Sequence, residues 1–178
     1  MTINSKMKQL YLLLIILVFS SPLFAQKTDT MTIKVYFHST KIDPDWNDCN
    51  KVYPVTRTIP KTTAVAAAAL QELMKGTTAQ EAKDFAGFSP DETKGILKSV
   101  KVKNGAAYVN FTKALQDQMG TAASSCGGGF FSMVVKTLLQ FPTIKKVYYA
   151  IEGNANDFYE WIQLGECPYG RHCASINF

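Results

Sequence analysis

An Asn-Gly pair between two alternating runs restricts the fold of this chain more than any other sequence feature. Residues 100–103 alternate valine with lysine, and residues 107–111 alternate apolar with polar side chains. Asn104 and Gly105 lie between the two runs. Both central residues of a two-residue hairpin turn need a positive φ, which Asn and Gly adopt more readily than other residues. The pattern therefore predicts an antiparallel β-hairpin.

The periodicity of apolar residues predicts the remaining elements. Pro54 lacks an amide donor, so its strand is expected to lie at a sheet edge or to bend there. Two amphipathic helices facing one mixed or mostly antiparallel sheet define a two-layer α+β fold. The predicted order is strand 33–38, strand 52–59, helix 64–75, the hairpin, helix 130–141 and strand 145–151.

The segments between these elements are polar or rich in glycine and proline. We find no linker, so one domain is expected over residues 26–178, with its core at about 32–153 and a cysteine-bearing tail at 154–178. The expected irregular regions are the polar loop 39–50, the loop 87–95, the turn 153–156 and the aromatic tail 157–178, and a short helical turn is expected at 78–84.

The N-terminal segment has the organisation of an export signal. Lys6 and Lys8 form a basic region, and residues 10–19 form an apolar run. That run is too short for a membrane span, which needs about 20 residues. Ala25 offers a small residue at the cleavage point. We expect residues 1–25 to be removed, which gives a protein of the periplasm or cell surface with no stable membrane span; a short uncleaved anchor is the alternative.

Composition and charge exclude two classes of protein. The chain is 47% hydrophobic and 19% charged, which is typical of a globular protein and not of a disordered one. Its 19 basic and 14 acidic residues give a formal charge of +5, and losing Lys6 and Lys8 with the signal leaves +3. A charge this small, without blocks of like charge, does not indicate a nucleic-acid partner.

Four cysteines lie after the signal: Cys49, Cys126, Cys167 and Cys173. An even number in an exported chain predicts two disulfides, and three connectivities are possible. Cys126 has two interpretations. It is either half of a disulfide, with Cys49 just before a strand that could run beside it, or a redox or nucleophilic thiol activated at the N-terminus of the second helix.

Other catalytic groups are sparse in this sequence. His38 and His172 lie far apart without metal-ligand spacing, and His38 is expected to be an exposed polar residue on its strand. The chain has no Gly-x-Ser-x-Gly elbow and no phosphate-binding loop. Asp43, Asp45 and Asn47 match the first half of a calcium loop, but the sixth and twelfth positions do not. A solvated acidic loop is the better interpretation, and no metal or cofactor is expected.

Aromatic residues provide a second, weaker indication of function. An exposed group of aromatic rings would suit stacking on sugar rings or contact with a partner protein. Packing in the core or in the tail is the alternative role for these residues. The candidates are Trp46, Tyr148, Phe158, Tyr159 and Trp161.

The order of five motifs resembles the GerMN domain, the sporulation and spore germination family. The likeness extends from about Ile33 to Gly153. The motifs are Val-Tyr-Pro-Val-Thr-Arg at 52–57, Leu-Met-Lys-Gly-Thr ending the Ala-rich helix at 73–77, the hairpin stretch 97–111, the stretch 137–147 with its Phe-Pro pair, and the following strand to Gly153.

The resemblance implies a small extracytoplasmic α+β domain, of a kind often found in lipoproteins or membrane-anchored proteins. Relatives include a component of the sporulation channel assembly that is similar to ring-building modules. No enzymatic activity goes with the family. Some members have one Cys before the strand at 52–57 and another before the second helix, which supports pairing Cys49 with Cys126. Unlike lipoproteins, this chain has no Cys near its cleavage point.

The lack of catalytic groups and the resemblance together predict a non-enzymatic exported envelope module that binds protein partners or assembles. Cell-wall glycan binding through the aromatics is the alternative, and a thiol-dependent enzyme at Cys126 is a third hypothesis. The expected contact surface is an exposed sheet edge. It lies either around Pro54 or on the hairpin face of Lys101, Lys103, Tyr108 and Asn110.

Overall fold

Six strands and four α-helices make up the part of the chain that the computed structural model describes, residues 29–120, 128–165, 167–168 and 178. The predicted α+β class is confirmed. The strands are β1 (Thr30–Ser39), β2 (Tyr53–Pro60), β3 (Phe85–Ala86), β4 (Leu97–Lys103), β5 (Ala106–Phe111) and β6 (Lys146–Ile151). The helices are α1 (Val65–Met74), α2 (Ala114–Met119), α3 (Gly128–Leu139) and α4 (Ala155–Trp161), with a short 3-10 helix at Glu81–Lys83 where a helical turn was predicted.

The strands form two three-stranded sheets, ordered β2-β1-β3 and β4-β5-β6, whereas the sequence predicted one sheet. On the side away from β2, β1 pairs with β3 at His38 and Ser39, and α3 with the residue that follows it occupies the edge at Lys34 and Tyr36. The Oγ1 atom of Thr137 accepts a hydrogen bond from the Tyr36 amide at 3.2 Å. The Gln140 side chain bonds both the amide and the carbonyl of Lys34, at 2.7 and 2.6 Å. Side chains of α3 thus take the place of a further strand.

The hairpin is confirmed in detail. Asn104 and Gly105 have φ angles of 51° and 77°, as the two-residue turn requires. β4 and β5 pair antiparallel from Lys103 opposite Ala106, and β5 pairs parallel with β6. β5 is the central strand of its sheet, and five of its six residues are buried.

Helices α1 and α3 cover a core to which both sheets contribute. Helix α1 buries Leu70, Leu73 and Met74, whereas Val65 is half-buried. On α3, Leu139 is 40% exposed while Thr137 is buried. Thr137 is buried because it hydrogen-bonds β1.

Among the described residues, none of the helices is long and apolar enough to cross a membrane.

Helix α4 occupies a region predicted to be a turn followed by an irregular tail, and that prediction is wrong. Asn154 caps the helix, because its Oδ1 accepts a hydrogen bond from the Asn156 amide at 3.0 Å. Asp157 then places a negative charge in the first turn, which favours helix formation. The helix buries Phe158 and Tyr159 against the rest of the domain.

Arg57 joins three elements of the fold through one side chain. Its guanidinium donates to Glu81 at 3.1 and 2.5 Å and to the carbonyls of Glu72 and Gly76 at 2.6 Å each. It also lies 5.4 Å from the centre of the Phe37 ring, within the range of a cation–π contact. Arg57 thereby connects β2 to the C-terminal end of α1 and to the 3-10 helix. The helix dipole favours a cation at the C-terminal end of α1.

The backbone at Gly76 is fixed by close packing. Its φ is +68°, and a Cβ there would lie 1.8 Å from the carbonyl oxygen of Phe88. Only glycine fits this position, which ends α1 and brings the Gly76 carbonyl to Arg57. Burial of Glu81 raises its pKa, but hydrogen bonds from Arg57 and from the Thr78 amide outweigh that effect, so the net pKa is lowered. Glu81 therefore remains an anion beside Arg57.

Replacing Arg57 with alanine should lower the free energy of unfolding by about 3–5 kcal/mol, because two largely buried carboxylates lose their cation. Lys61→Ala is the matched control. Lys61 also forms an ion pair, with Asp29 at 3.9 Å, but both side chains are mostly exposed, so its loss should cost about 1 kcal/mol or less. Urea denaturation of both variants tests this, and equal losses would show that the Arg57 cluster is not a stability centre.

Candidate functional site

The loop between β1 and β2, residues 41–50, presents two large apolar side chains to solvent; we call it the Trp46 loop. Ile42 is 60% exposed and Trp46 is 42% exposed. The other exposed large apolar side chains of the described residues lie in other parts of the chain: Val102, Leu139 and Leu164. Trp46 is one of the aromatic residues predicted as contact candidates, whereas no sequence signal pointed to Ile42.

The carboxylate of Asp43 holds this loop in its conformation. Its Oδ1 accepts hydrogen bonds from the Asn47 amide and side chain, both at 2.9 Å, and its Oδ2 accepts one from the Asp48 amide at 3.0 Å. These bonds lower the pKa of Asp43 to about 2, the Asp48 amide having the largest effect. The prediction of a solvated acidic loop is therefore wrong at Asp43, which is nearly buried and serves as an internal cap.

His38 contacts the Trp46 loop and is completely buried, so the prediction that His38 is exposed is wrong. Its Nε2 lies 2.9 Å from the carbonyl oxygen of Asp43. Because a carbonyl can only accept, Nε2 carries the proton. The Trp46 indole stacks on the imidazole with 4.0 Å between ring centres and 14° between planes. One face of Trp46 is therefore covered by protein.

Trp46 also has an unusual backbone conformation. Its φ is 55°, in the left-handed region that non-glycine residues rarely occupy. Such a conformation costs of order 1–3 kcal/mol and persists where the surroundings enforce it. Here the Asp43 hydrogen bonds and the His38 stack do so. The loop thus presents Ile42 and Trp46 from a fixed scaffold.

The predicted hairpin face is only partly available for contact. Lys101 and Lys103 are exposed, but Tyr108 is half-buried and Asn110 is buried. The Oδ1 of Asn110 accepts a hydrogen bond from the Gly153 amide at 2.8 Å and so fixes the turn before α4. Phe178 packs on this face, with its ring centre 5.9 Å from that of Tyr108 and its carbonyl oxygen 2.5 Å from Lys101 Nζ. A contact role for the two lysines stays a prediction.

Two of the four cysteines are described. Cys49 and Cys167 are buried, and neither is a free thiol. Cys126 and Cys173 lie outside the described residues, so both the predicted disulfides and the thiol hypothesis stay predictions. The start of α3 packs closely on Cys49, since a Cβ at Gly129 would lie 2.9 Å from the Cys49 carbonyl oxygen.

The five aromatic residues do not form one exposed surface. Tyr148, Phe158 and Tyr159 are buried. Trp161 is half-buried and donates from Nε1 to the Gly120 carbonyl at 2.8 Å. Of the five, Trp46 is the one with substantial exposure. Of these five candidates, only the partly exposed ring of Trp46 could therefore stack on a sugar ring.

An open cleft of about 300 Å³ lies beside α4 and carries acidic side chains, among them Glu152, Asp157 and Glu160. Two of these have internal roles. Glu152 pairs with Lys98 and accepts from the Lys113 amide at 3.2 Å, and these bonds lower its pKa. Asp157 accepts from Asn154 at 2.7 Å. Among the described residues no group of three or more His, Cys, Asp and Glu side chains is placed to hold a metal ion.

The chain folds as an α+β domain whose Trp46 loop exposes two large apolar side chains. The chain belongs to the sporulation and spore germination family: the Germane family model matches residues 34–157. The resemblance seen in the sequence motifs is thereby confirmed. No curated protein matches the chain.

Three solved structures are similar to this chain. The tandem GerMN domains of the sporulation protein GerM from Bacillus subtilis share 21% identity over 75% of this chain and 43% of that one, with a TM-score of 0.49. The first GerMN domain of the same protein shares 20% identity over 78% of this chain and 92% of that one, with a TM-score of 0.48. A putative lipoprotein from Clostridium perfringens shares 14% identity over 70% and 82%, with a TM-score of 0.40. The chain spans less than half the length of the tandem structure.

The Trp46 loop should loosen in strong acid. The pKa of Asp43 is lowered, so its stabilising effect is complete above its usual value of 3.8 and is lost as the pH falls through about 2. In a Trp161→Phe background, Trp46 is the remaining tryptophan. Its fluorescence should therefore be constant down to about pH 4 and change toward pH 2.

Asp43→Asn in the same background is the matched variant. It should show altered Trp46 fluorescence already at pH 7 and lack the acid transition, while far-UV circular dichroism of the same samples reports the overall fold. If Asp43→Asn behaved like its parent at every pH, the carboxylate would not be what holds the loop.

Proposed function

We propose that this protein is a non-enzymatic, exported module of the cell envelope that acts by binding protein partners. Membership of the sporulation and spore germination family supports a role outside catalysis, as does the internal use of its buried polar groups. His38, Asp43 and Arg57 each hold the fold together through hydrogen bonds within the chain. Each is thus explained by structure without a reaction.

The observation that carries the proposal is the paired exposure of Ile42 and Trp46 on the fixed Trp46 loop. Exposed apolar side chains held in one conformation lose little entropy when a partner covers them. Tryptophan is enriched among the residues that dominate binding energy at protein interfaces. The loop therefore suits a shallow apolar depression on another protein.

Binding of cell-wall glycan remains the second candidate, and it is centred on Trp46 alone. The indole has one face on His38, and the residue is 42% exposed, which is enough to stack on a single sugar ring. Protein binding is favoured because Ile42, the more exposed of the two loop side chains, offers no stacking surface.

A photo-reactive amino acid at position 42 should cross-link a recurrent protein in intact cells, whereas the same group at position 139 should not. Leu139 is the matched control because it is 40% exposed on α3, close to the exposure of Trp46. With the partner purified, Trp46→Ala should weaken binding about tenfold or more, as expected for an interface anchor. Leu139→Ala should leave the affinity unchanged.

Three results would redirect the proposal. Loss of binding in a Lys101→Glu/Lys103→Glu variant, with Trp46→Ala unaffected, would move the contact to the hairpin. Co-sedimentation with purified sacculi that depends on Trp46, without a protein adduct, would favour glycan. Equal cross-linking at positions 42 and 139 would remove the loop from consideration.

Export is tested by the mass of the protein isolated from cells. Removal of residues 1–25 should leave Gln26 as the first residue. Ala25→Trp should slow cleavage, because the processing site needs a small residue there. A full-length mass for the unaltered protein would contradict the cleavable signal and favour an uncleaved anchor.

A further inference from the structure

Among the described residues, no strand pairs with the outer edge of β2, and the contacts of β1 determine which backbone groups of β2 point outward. β1 directs the amides of Lys34 and Tyr36 to side chains of α3, away from β2. In an antiparallel ladder, two opposite residues whose backbone N–H and C=O groups point away from each other form a non-hydrogen-bonded pair. Lys34 lies opposite Thr56, and Tyr36 lies opposite Pro54. The amide and carbonyl of Thr56 therefore point away from β1.

The same alternation applies along the whole strand, because the pairing of β1 with β2 is unbroken from Thr30 to Phe37. Thr58, opposite Thr32, also directs its amide outward. The backbone of Pro54 and of Pro60 faces outward as well, but proline has no N–H to donate. The open edge thus offers two amide donors, at Thr56 and Thr58, bounded by a proline at each end. Among the described residues, no hydrogen bond to these two amides is formed.

This edge lacks the protection that the other sheet has. β4, the corresponding edge of that sheet, carries Lys98, Lys101 and Lys103 and has an irregular register between Leu97 and Ser99. Lysines, prolines and bulges are the usual means by which proteins block an edge strand, and β2 has prolines at positions 54 and 60 but no lysine or bulge between them. The outward-facing positions of β2 are uncharged threonines and prolines, and the threonines are exposed. A cleft of about 260 Å³ lined in part by Arg57, Thr58 and Glu81 lies beside the edge.

We propose that β2 pairs antiparallel with β2 of a second copy of this chain, about a two-fold axis at Arg57. Thr56 then lies opposite Thr58 of the second copy, and the two positions exchange both of their backbone hydrogen bonds. Symmetry repeats this pair, so all four outward amides of the dimer find a carbonyl. Pro54 lies opposite Pro60 of the second copy, where neither strand has a donor to satisfy. The edge is self-complementary, as an isologous interface requires.

The side chains suit this register on both faces of the paired strands. Threonines lie opposite threonines on the solvent face, which is a favourable cross-strand pair. On the other face, Val55 lies opposite Ile59 of the second copy. The two Arg57 residues meet at the axis, but each guanidinium is already neutralised by Glu81 at 2.5 Å and faces Glu72 at 3.7 Å. Like-charge repulsion at the axis is therefore small.

Sedimentation velocity of the purified protein tests the proposal. Strand pairing alone makes a small and weak interface, so the measurement should cover concentrations from about 5 to about 500 μM. The unaltered protein should dimerise within this range. Thr56→Pro removes two of the four hydrogen bonds of the dimer and should weaken it about tenfold or more. Thr56→Val retains the amide and the β-branched shape and should dimerise normally, and circular dichroism checks that both variants fold.

The register is tested by mixing a Thr56→Cys variant with a Thr58→Cys variant under mild oxidation. The two positions face each other across the axis, so the mixture should form a covalent dimer faster than either variant alone. A protein that remains monomeric at about 500 μM, or a Thr56→Pro variant that dimerises as the unaltered protein does, overturns the proposal. Trp46→Ala should leave dimerisation unchanged, so failure of the loop contact and failure of this pairing are distinguishable.

Discussion

The guanidinium of Arg57 is the contact on which the arrangement of the first sheet and α1 depends. The largely buried guanidinium has five N–H donors, and it makes four hydrogen bonds, to the Glu81 carboxylate and to the carbonyls of Glu72 and Gly76. The Glu72 carbonyl also accepts a hydrogen bond from the Lys75 amide at 3.3 Å, and Gly76 lies just beyond the helix, so one arginine side chain joins the end of α1 to the Glu81 ion pair. Because β2 carries this arginine, the position of β2 relative to α1 is fixed.

Local sequence signals predicted the elements whose cause is local. The hairpin at Asn104-Gly105 and helix α1 are determined by turn geometry and by apolar periodicity, and both were predicted within a residue or two. Pro54 correctly indicated an edge strand, since β2 pairs only with β1 in its sheet. Helix α4 was missed because residues 153–156 were interpreted as a turn, whereas Asn154 caps a helix that begins at Ala155.

The features that could not be predicted arise from contacts between distant parts of the chain. Two sheets form in place of one because Gln140 reaches the backbone of Lys34, 106 positions away. Alternation on β1 suggested an exposed His38, but the loop that follows folds back and buries it. The Trp46 loop was expected to be solvated because its composition is polar. Its order comes from Asp43, whose carboxylate captures amides that a sequence pattern does not assign to it.

The two surfaces proposed for contact belong to one continuous stretch of chain, because the Trp46 loop leads directly into β2. In a dimer paired about Arg57, the two copies of Tyr53, where β2 begins, are offset by eight residues along the strand direction, which corresponds to about 27 Å. The two Trp46 loops then lie at opposite ends of the paired strands. A partner with repeated sites at that spacing would be bound by both loops at once, and the second contact would form at a high effective concentration. Weak self-association and a modest single-loop affinity would then combine into tight binding, and only to an assembled partner.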